Sequence, residues 1–230
     1  MSDPGPSKHR PSSLDVGRAE RALLQLAVLL AALAGIVNAI GFLAFGHVFL
    51  ASPEANATVL GANLAQSYAV ALFAGAMILS FVAGVTLMTL IAHRAGQFQR
   101  TLVLLTTALL LVGVYFAFRD HVAFAPAAFL AMAMGSAHCV FERDNAHLQE
   151  ALSPSAQVAR FGEALVKGRH VADYRQIGVH ASFWLAFLFG GLLGAGTWIA
   201  FDAESVALTA GVASMLTLRT WLIERNLLPA

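Results

Sequence analysis

Long apolar runs dominate the chain, broken by short polar stretches at regular intervals. Residues 22–45, 69–92 and 101–118 carry no charge. Residues 122–141 contain no Asp, Glu, Lys or Arg and one histidine, His138, and residues 179–201 contain His180 near their start. Residues 206–223 carry Arg219 near their end, where a long side chain can reach the headgroup layer. A helix needs roughly 20 apolar residues to cross the hydrocarbon of a bilayer. The pattern therefore predicts six crossings and an all-α, polytopic membrane protein. Trp198, Trp221, Tyr68 and Tyr174 fall near the predicted ends, where aromatic belts form.

Composition supports this. The chain is 58% hydrophobic and 12% charged, against about 25% charged residues in an ordinary soluble domain. Too little polar surface is present to cover a soluble globule of 230 residues. The first run is longer than the roughly 7–15 residues of a signal-peptide core, so it reads as a crossing. Residues 1–21, rich in Pro and Ser with mixed charge, are expected to form a disordered tail. The membrane domain is then residues 22–223, with a second tail at 224–230.

Charge placement gives direction. With the N-terminus in the cytoplasm, thirteen of the fourteen basic residues fall on the cytoplasmic side, and Arg119 alone falls outside. This strong positive-inside asymmetry places both termini in the cytoplasm.

Two stretches echo each other. "SPEANATVLG" occupies residues 52–61 and "SPSAQVARFG" residues 153–162. Gly35 and Gly135 each precede a polar residue by three positions, Asn38 and His138. Each half runs through one crossing with Gly and a polar residue, a Ser-Pro segment and two more crossings. Three crossings per half is odd, so the copies (22–118 and 122–223) enter from opposite faces. That is a 3+3 inverted-topology repeat, an architecture of secondary transporters. Ser is a good N-cap and Pro is favoured at the first helical position, so Ser52-Pro53 and Ser153-Pro154 each open a short helix. The positive end of such a helix suits an anionic or polar group. Each segment either dips into the membrane or lies on its surface.

The stretches "AGIVNAIGFLAFGHVFLASPEANATVLG" and "AMAMGSAHCVF…ALSPSAQVARFGEAL" resemble the YoaK-type family of uncharacterised bacterial six-span membrane proteins, over about residues 22–223. Family members carry Gly-x-x-Asp-Ala early, Met-Thr-Gly-Asn before Leu-Gly, and a Met-Thr-Gly-Thr echo. Here Asn38 stands where the family has Asp, and Asn56 with Leu60-Gly61 matches. Pro53, Glu54 and Ala55 replace Met-Thr-Gly, as do Pro154, Ser155 and Ala156, and His138 stands in place of Asn. The resemblance implies a permease-like membrane protein without an assigned substrate.

The candidate substrate- or ion-binding residues are Asn38, Ser52, Glu54, Asn56, His138, Ser153 and Gln157. Glu54 reads either as a first-turn carboxylate at the interface or as a coupling-ion site. Asn38 and His138 read as interhelical hydrogen bonders or, for His138, as a proton relay. Asn56 and Gln157 are neutral hydrogen bonders. His47, His93 and His180 read as interfacial. Gly190 and Gly194 allow close helix contact, in the core or on a dimer face. The single Cys139 excludes a disulfide framework. With no metal-ligand spacing, phosphate loop or nucleophile motif, neither an enzyme, a cofactor nor a nucleic-acid partner is expected. The expected partners are the lipid bilayer, a small polar or anionic solute and a second copy of the chain. The function expected is secondary transport; the alternative is a non-transporting scaffold acting through the cytoplasmic loop at 142–176.

Overall fold

Pro and Gly positions set where helices begin and where the chain reverses. A computed structural model describes residues 13–46, 48–144, 146–167 and 171–227. They form α1 (Ser13–Ala44), α2 (Pro53–Asn63), α3 (Tyr68–Ala92), α4 (Gln99–Arg119), α5 (Ala125–His138), α6 (Ala146–Gln149), α7 (Pro154–Lys167), α8 (Val171–Phe201) and α9 (Glu204–Leu227). No strand occurs among the described residues, so the protein is all-α. Residues 1–12, His47 and the side chain of Tyr174 lie outside the described residues.

Two boundaries differ from the sequence expectation. α1 begins at Ser13, inside the stretch assigned to the tail. Its extra turns carry the helix beyond the apolar run, which hydropathy alone cannot detect. The run at 122–141 forms only Ala125–Phe141, its last turn tightened to a 3-10 turn over Cys139–Phe141. At 1.5 Å per residue this is about 26 Å, the shortest of the apolar helices. Pro126 in the first turn sets its start. Five other segments are long and apolar enough to cross a membrane: Gly17–Ala44, Tyr68–Ala92, Gly96–Arg119, Gln176–Phe201 and Glu204–Asn226.

Burial runs opposite to that of a soluble bundle. α1 and α5 are enclosed, with Leu26, Leu30, Leu33, Val37 and Ile40 of α1 sealed from the surface. The outer helices instead expose large apolar side chains such as Leu79, Leu109, Leu192 and Met215, as lipid-facing helices do. The chain is a membrane protein.

The helices pack in a regular set. α1 lies along α8, and α3 along α5. α2 leans on α3, and α7 on α8. α4 bridges α5 and α9, and α9 also touches α1. Glycines make the two main crossings close. A Cβ on Gly35 would stand 2.1 Å from Phe187 O, and one on Gly190 would stand 2.0 Å from Ala32 O. At the other crossing, Gly135 meets Phe81 O at 2.1 Å and Gly84 meets Met132 O at 2.2 Å. Small residues let backbones approach where hydrophobic exclusion of water gives no drive between helices.

The two ends are held differently. At the end where α1 finishes, Phe45 stacks on Phe118 at 5.6 Å, and Phe118 meets Trp198 at 5.8 Å. At the end where α1 starts, the buried Glu224 carboxylate closes the N-terminus of α4. It accepts Arg100 N–H at 2.9 Å, Thr101 N–H at 3.0 Å and Thr101 Oγ1–H at 2.6 Å. A carboxylate satisfies these otherwise unpaired donors and complements the helix dipole. Arg100 adds a two-nitrogen grip on Asp144, its closest contact 2.8 Å. The sequence placed residue 224 in a tail. Its spacing from the buried Ala213, Leu216 and Thr220 puts it on the packed face of α9.

Candidate functional site

The first Ser-Pro segment is held by three amide and hydroxyl side chains. After α1 ends at Ala44 the chain reverses near Gly46, whose φ of 72° suits glycine. Residues 48–52 then run back along α1. Leu50 covers Gly41, where a Cβ would lie 2.6 Å from Leu50 Cδ1. Ala51 N–H donates to Asn38 Oδ1 at 2.7 Å, and Asn38 Nδ2–H donates to Ser52 Oγ at 2.9 Å. Asn38 precedes the end of α1 by six residues, so α2 starts about 9 Å back from that end. Asn56 closes the fold-back, accepting Phe49 N–H at 2.8 Å and donating to Phe49 O at 2.5 Å. α2 then climbs back against α3, with Leu60 beside Gly75.

Ser52 therefore does something other than expected. It precedes Pro53 at the helix start, but its hydroxyl makes no capping bond to α2. The hydroxyl faces Asn38 instead, because the descending chain brings it against α1.

The second segment repeats part of this geometry. Gln157 Nε2–H donates to Glu150 O at 2.8 Å, seven residues back, as Asn56 does to Phe49. Ser153 supplies its carbonyl to Gln157 N–H at 3.1 Å. Gln157 Oε1 lies 2.8 Å from His180 Nδ1. An amide oxygen only accepts, so the proton sits on Nδ1. His180 is only 4% exposed. It is a buried partner of α7, not the interfacial histidine the sequence suggested, because α7 packs over the first turns of α8. The expected interfacial His93 is exposed.

Glu54 and His138 belong to neither of these hydrogen-bonded sets. Glu54 lies exposed in the first turn of α2. His138 stands edge-on to Phe81 at 5.0 Å, with Nδ1 3.0 Å from Met134 O. The structure thus joins Asn38, Ser52 and Asn56 in one set and Ser153 with Gln157 in another, and leaves Glu54 and His138 outside both. A groove of about 360 Å³ between α1 and α8 takes in Asn38 among apolar neighbours, including Phe42, Phe49 and Phe187. His138 and Gln157 do not line it. Gly190 and Gly194 lie against Ala32 and Ile36 of α1, so α1 of the same chain occupies the face considered for a dimer. Among the described residues no cluster of His, Cys, Asp or Glu could hold a metal ion.

Residues 26–219 match the family described as Protein of unknown function (DUF1275). The chain belongs to DUF1275. YoaK-type proteins are members of DUF1275, so the resemblance drawn from the two Ser-Pro stretches falls within it. The match runs from α1 into α9 and includes all seven candidate residues, both halves belonging to one family unit. No curated protein and no solved structure matches the chain.

Proposed function

We propose that this DUF1275 protein is a small secondary transporter of a small polar or anionic solute. In this reading it crosses a bacterial inner membrane six times, as two inverted copies of three helices, with both termini in the cytoplasm. One observation carries it: the closest helix contacts of one half recur at matching positions in the other. Residues 32 and 35 meet 190 and 187 as residues 132 and 135 meet 84 and 81. The offsets are 100 along α1 and α5, and 106 along α3 and α8. The contacts of α2 with α3 and of α4 with α5 have counterparts in α7 with α8 and α9 with α1. Short helices that start within the bundle at symmetry-related places are the usual location of a transporter's binding site. Thirteen of fourteen basic residues on one side support the orientation.

The test has two parts. In a Cys139→Ser background, Ala65→Cys and Val166→Cys are expected to react with an impermeant thiol reagent from opposite faces of the membrane. Labelling from one face overturns the inverted repeat. Purified protein in proteoliposomes is then expected to take up a polar or anionic solute under a proton or sodium gradient. Glu54→Gln and His138→Ala are expected to diminish that uptake. A folded protein silent across a broad solute panel under both gradients refutes transport.

A second reading is favoured by the internal pairing of Asn38, Asn56 and Gln157. If those amides only hold the fold, the protein is a non-transporting scaffold acting through residues 142–176. Stoichiometric co-purification of one partner, lost on deleting that loop, would support it.

A further inference from the structure

Arg219 lies inside the apolar part of α9, and its partner is neutral. Its Nη2–H donates to Gln25 Oε1 of α1, and the structure gives it no carboxylate among the described residues. The acids of neighbouring turns are otherwise engaged: Glu224 closes α4, and Glu20 has a partner of its own. Arg225 lies over Trp221 at 5.2 Å. A guanidinium without a counter-charge in an apolar setting favours an anion.

The surroundings say which kind. Arg219 and Gln25 border an open groove of about 310 Å³ where α1, α8 and α9 meet. Its remaining wall is mostly apolar, with Leu24, Val28, Leu29 and Phe183. Depth can be read along α1. Gln25 is ten residues from Gly35, the closest point of the α1–α8 crossing, or about 15 Å. That is about half the roughly 30 Å hydrocarbon thickness, so with the crossing at mid-membrane the polar end of the groove lies at headgroup level. Arg21, exposed, stands one turn further out on the same face of α1.

We infer that this groove binds an anionic phospholipid of the leaflet on the side where α1 starts. The lipid phosphate takes the free donors of Arg219 and the amide nitrogen of Gln25. A negatively charged headgroup reaches Arg21, and one acyl chain lies along Leu29 and Phe183. Two cations with an apolar channel beneath them match a charged head on a hydrocarbon tail. A free anion would leave the channel unfilled. The site stands whether or not the chain transports a solute.

The test is native mass spectrometry of the full chain released from micelles holding phosphatidylglycerol and phosphatidylcholine in equal amounts. Wild type is expected to retain phosphatidylglycerol at least about five-fold over phosphatidylcholine. Arg219→Gln is expected to abolish the preference, while Arg119→Gln at the opposite end leaves it intact. Leu29→Trp fills the groove but keeps the charge, so it is expected to lower retention as well. This second variant serves if Arg219→Gln fails to fold. Excess inorganic phosphate is expected to leave the lipid bound. Equal retention of both lipids, full retention by a folded Arg219→Gln, or displacement by phosphate would overturn the assignment.

Discussion

Replacing Gly35 by Ala asks whether the two close crossings hold the fold. The added Cβ would lie 2.1 Å from Phe187 O, where ordinary contact begins near 3.4 Å. The shortfall is 3.4 − 2.1 = 1.3 Å. The obstacle is a backbone carbonyl in the middle of α8, so no rotamer change relieves it, and α1 and α8 must move apart. Separation also opens the Gly190–Ala32 contact at the same crossing. Overpacking of this kind costs about 1–3 kcal/mol, and a rigid backbone on both sides argues for the upper end. Gly211 on α9 has nothing within 4 Å. Gly211→Ala gains about 1 kcal/mol of helix propensity. The two substitutions therefore differ by roughly 3–4 kcal/mol with opposite signs. Gly135→Ala should behave like Gly35→Ala, since it meets Phe81 O at the same 2.1 Å. Unfolding in detergent, followed by tryptophan fluorescence, measures all three. Equal shifts for Gly35→Ala and Gly211→Ala would falsify the claim that these crossings are sterically fixed.

Two further expectations concern buried polar groups. Glu224→Ala leaves two backbone N–H groups, one hydroxyl and part of Arg100 without a partner, and should cost about 3–5 kcal/mol. A double-mutant cycle with Arg100→Ala should show coupling above about 0.5 kcal/mol, and additive losses would remove the network. Gln157→Leu and His180→Phe should each destabilise by about 1–3 kcal/mol. Together they should cost less than their sum, because each single change strands the other's polar atom, and a strictly additive result in thermal unfolding would refute the pairing.

The parts of the fold legible in the sequence are those set by one-dimensional patterns. Apolar runs located the long helices because their outward faces meet a uniform apolar solvent, so almost no polar residue is tolerated. Gly190 and Gly194 signalled one close helix contact, which the structure places against Ala32 and Ile36, whereas Gly35 and Gly135 read only as parts of the repeat until their contacts with Phe187 and Phe81 were seen. What failed were choices between partners. Ser52 could cap its own helix or face α1, and only the descending path of residues 48–52 decides for Asn38. His180 looks like a residue at a helix start until α7 folds over it and brings Gln157 to its ring. Glu224 looks like the start of a tail because its partners, Arg100 and Thr101, are more than a hundred residues away.

The same partner choices narrow the site. A chain that doubles back through a buried interior must satisfy its backbone groups without water, and each failure costs several kcal/mol. Asn56 meets both polar groups of Phe49, Asn38 meets Ala51 N–H, and Gln157 meets Glu150 O. These amides are the means by which residues 48–56 and 150–157 hold their paths, so a solute could use them only by releasing the backbone. Glu54 has no such duty: among the described residues its carboxylate accepts no hydrogen bond. Asn56→Ala should therefore lower thermal stability by about 2 kcal/mol or more, through two stranded backbone groups. Glu54→Gln should leave the melting point within roughly 0.5 kcal/mol of wild type, as exposed substitutions do. In proteoliposomes, Glu54→Gln should then lose solute uptake while remaining folded. If it transports normally and Asn56→Ala folds normally but does not transport, the amides bind the solute and this division of labour is wrong.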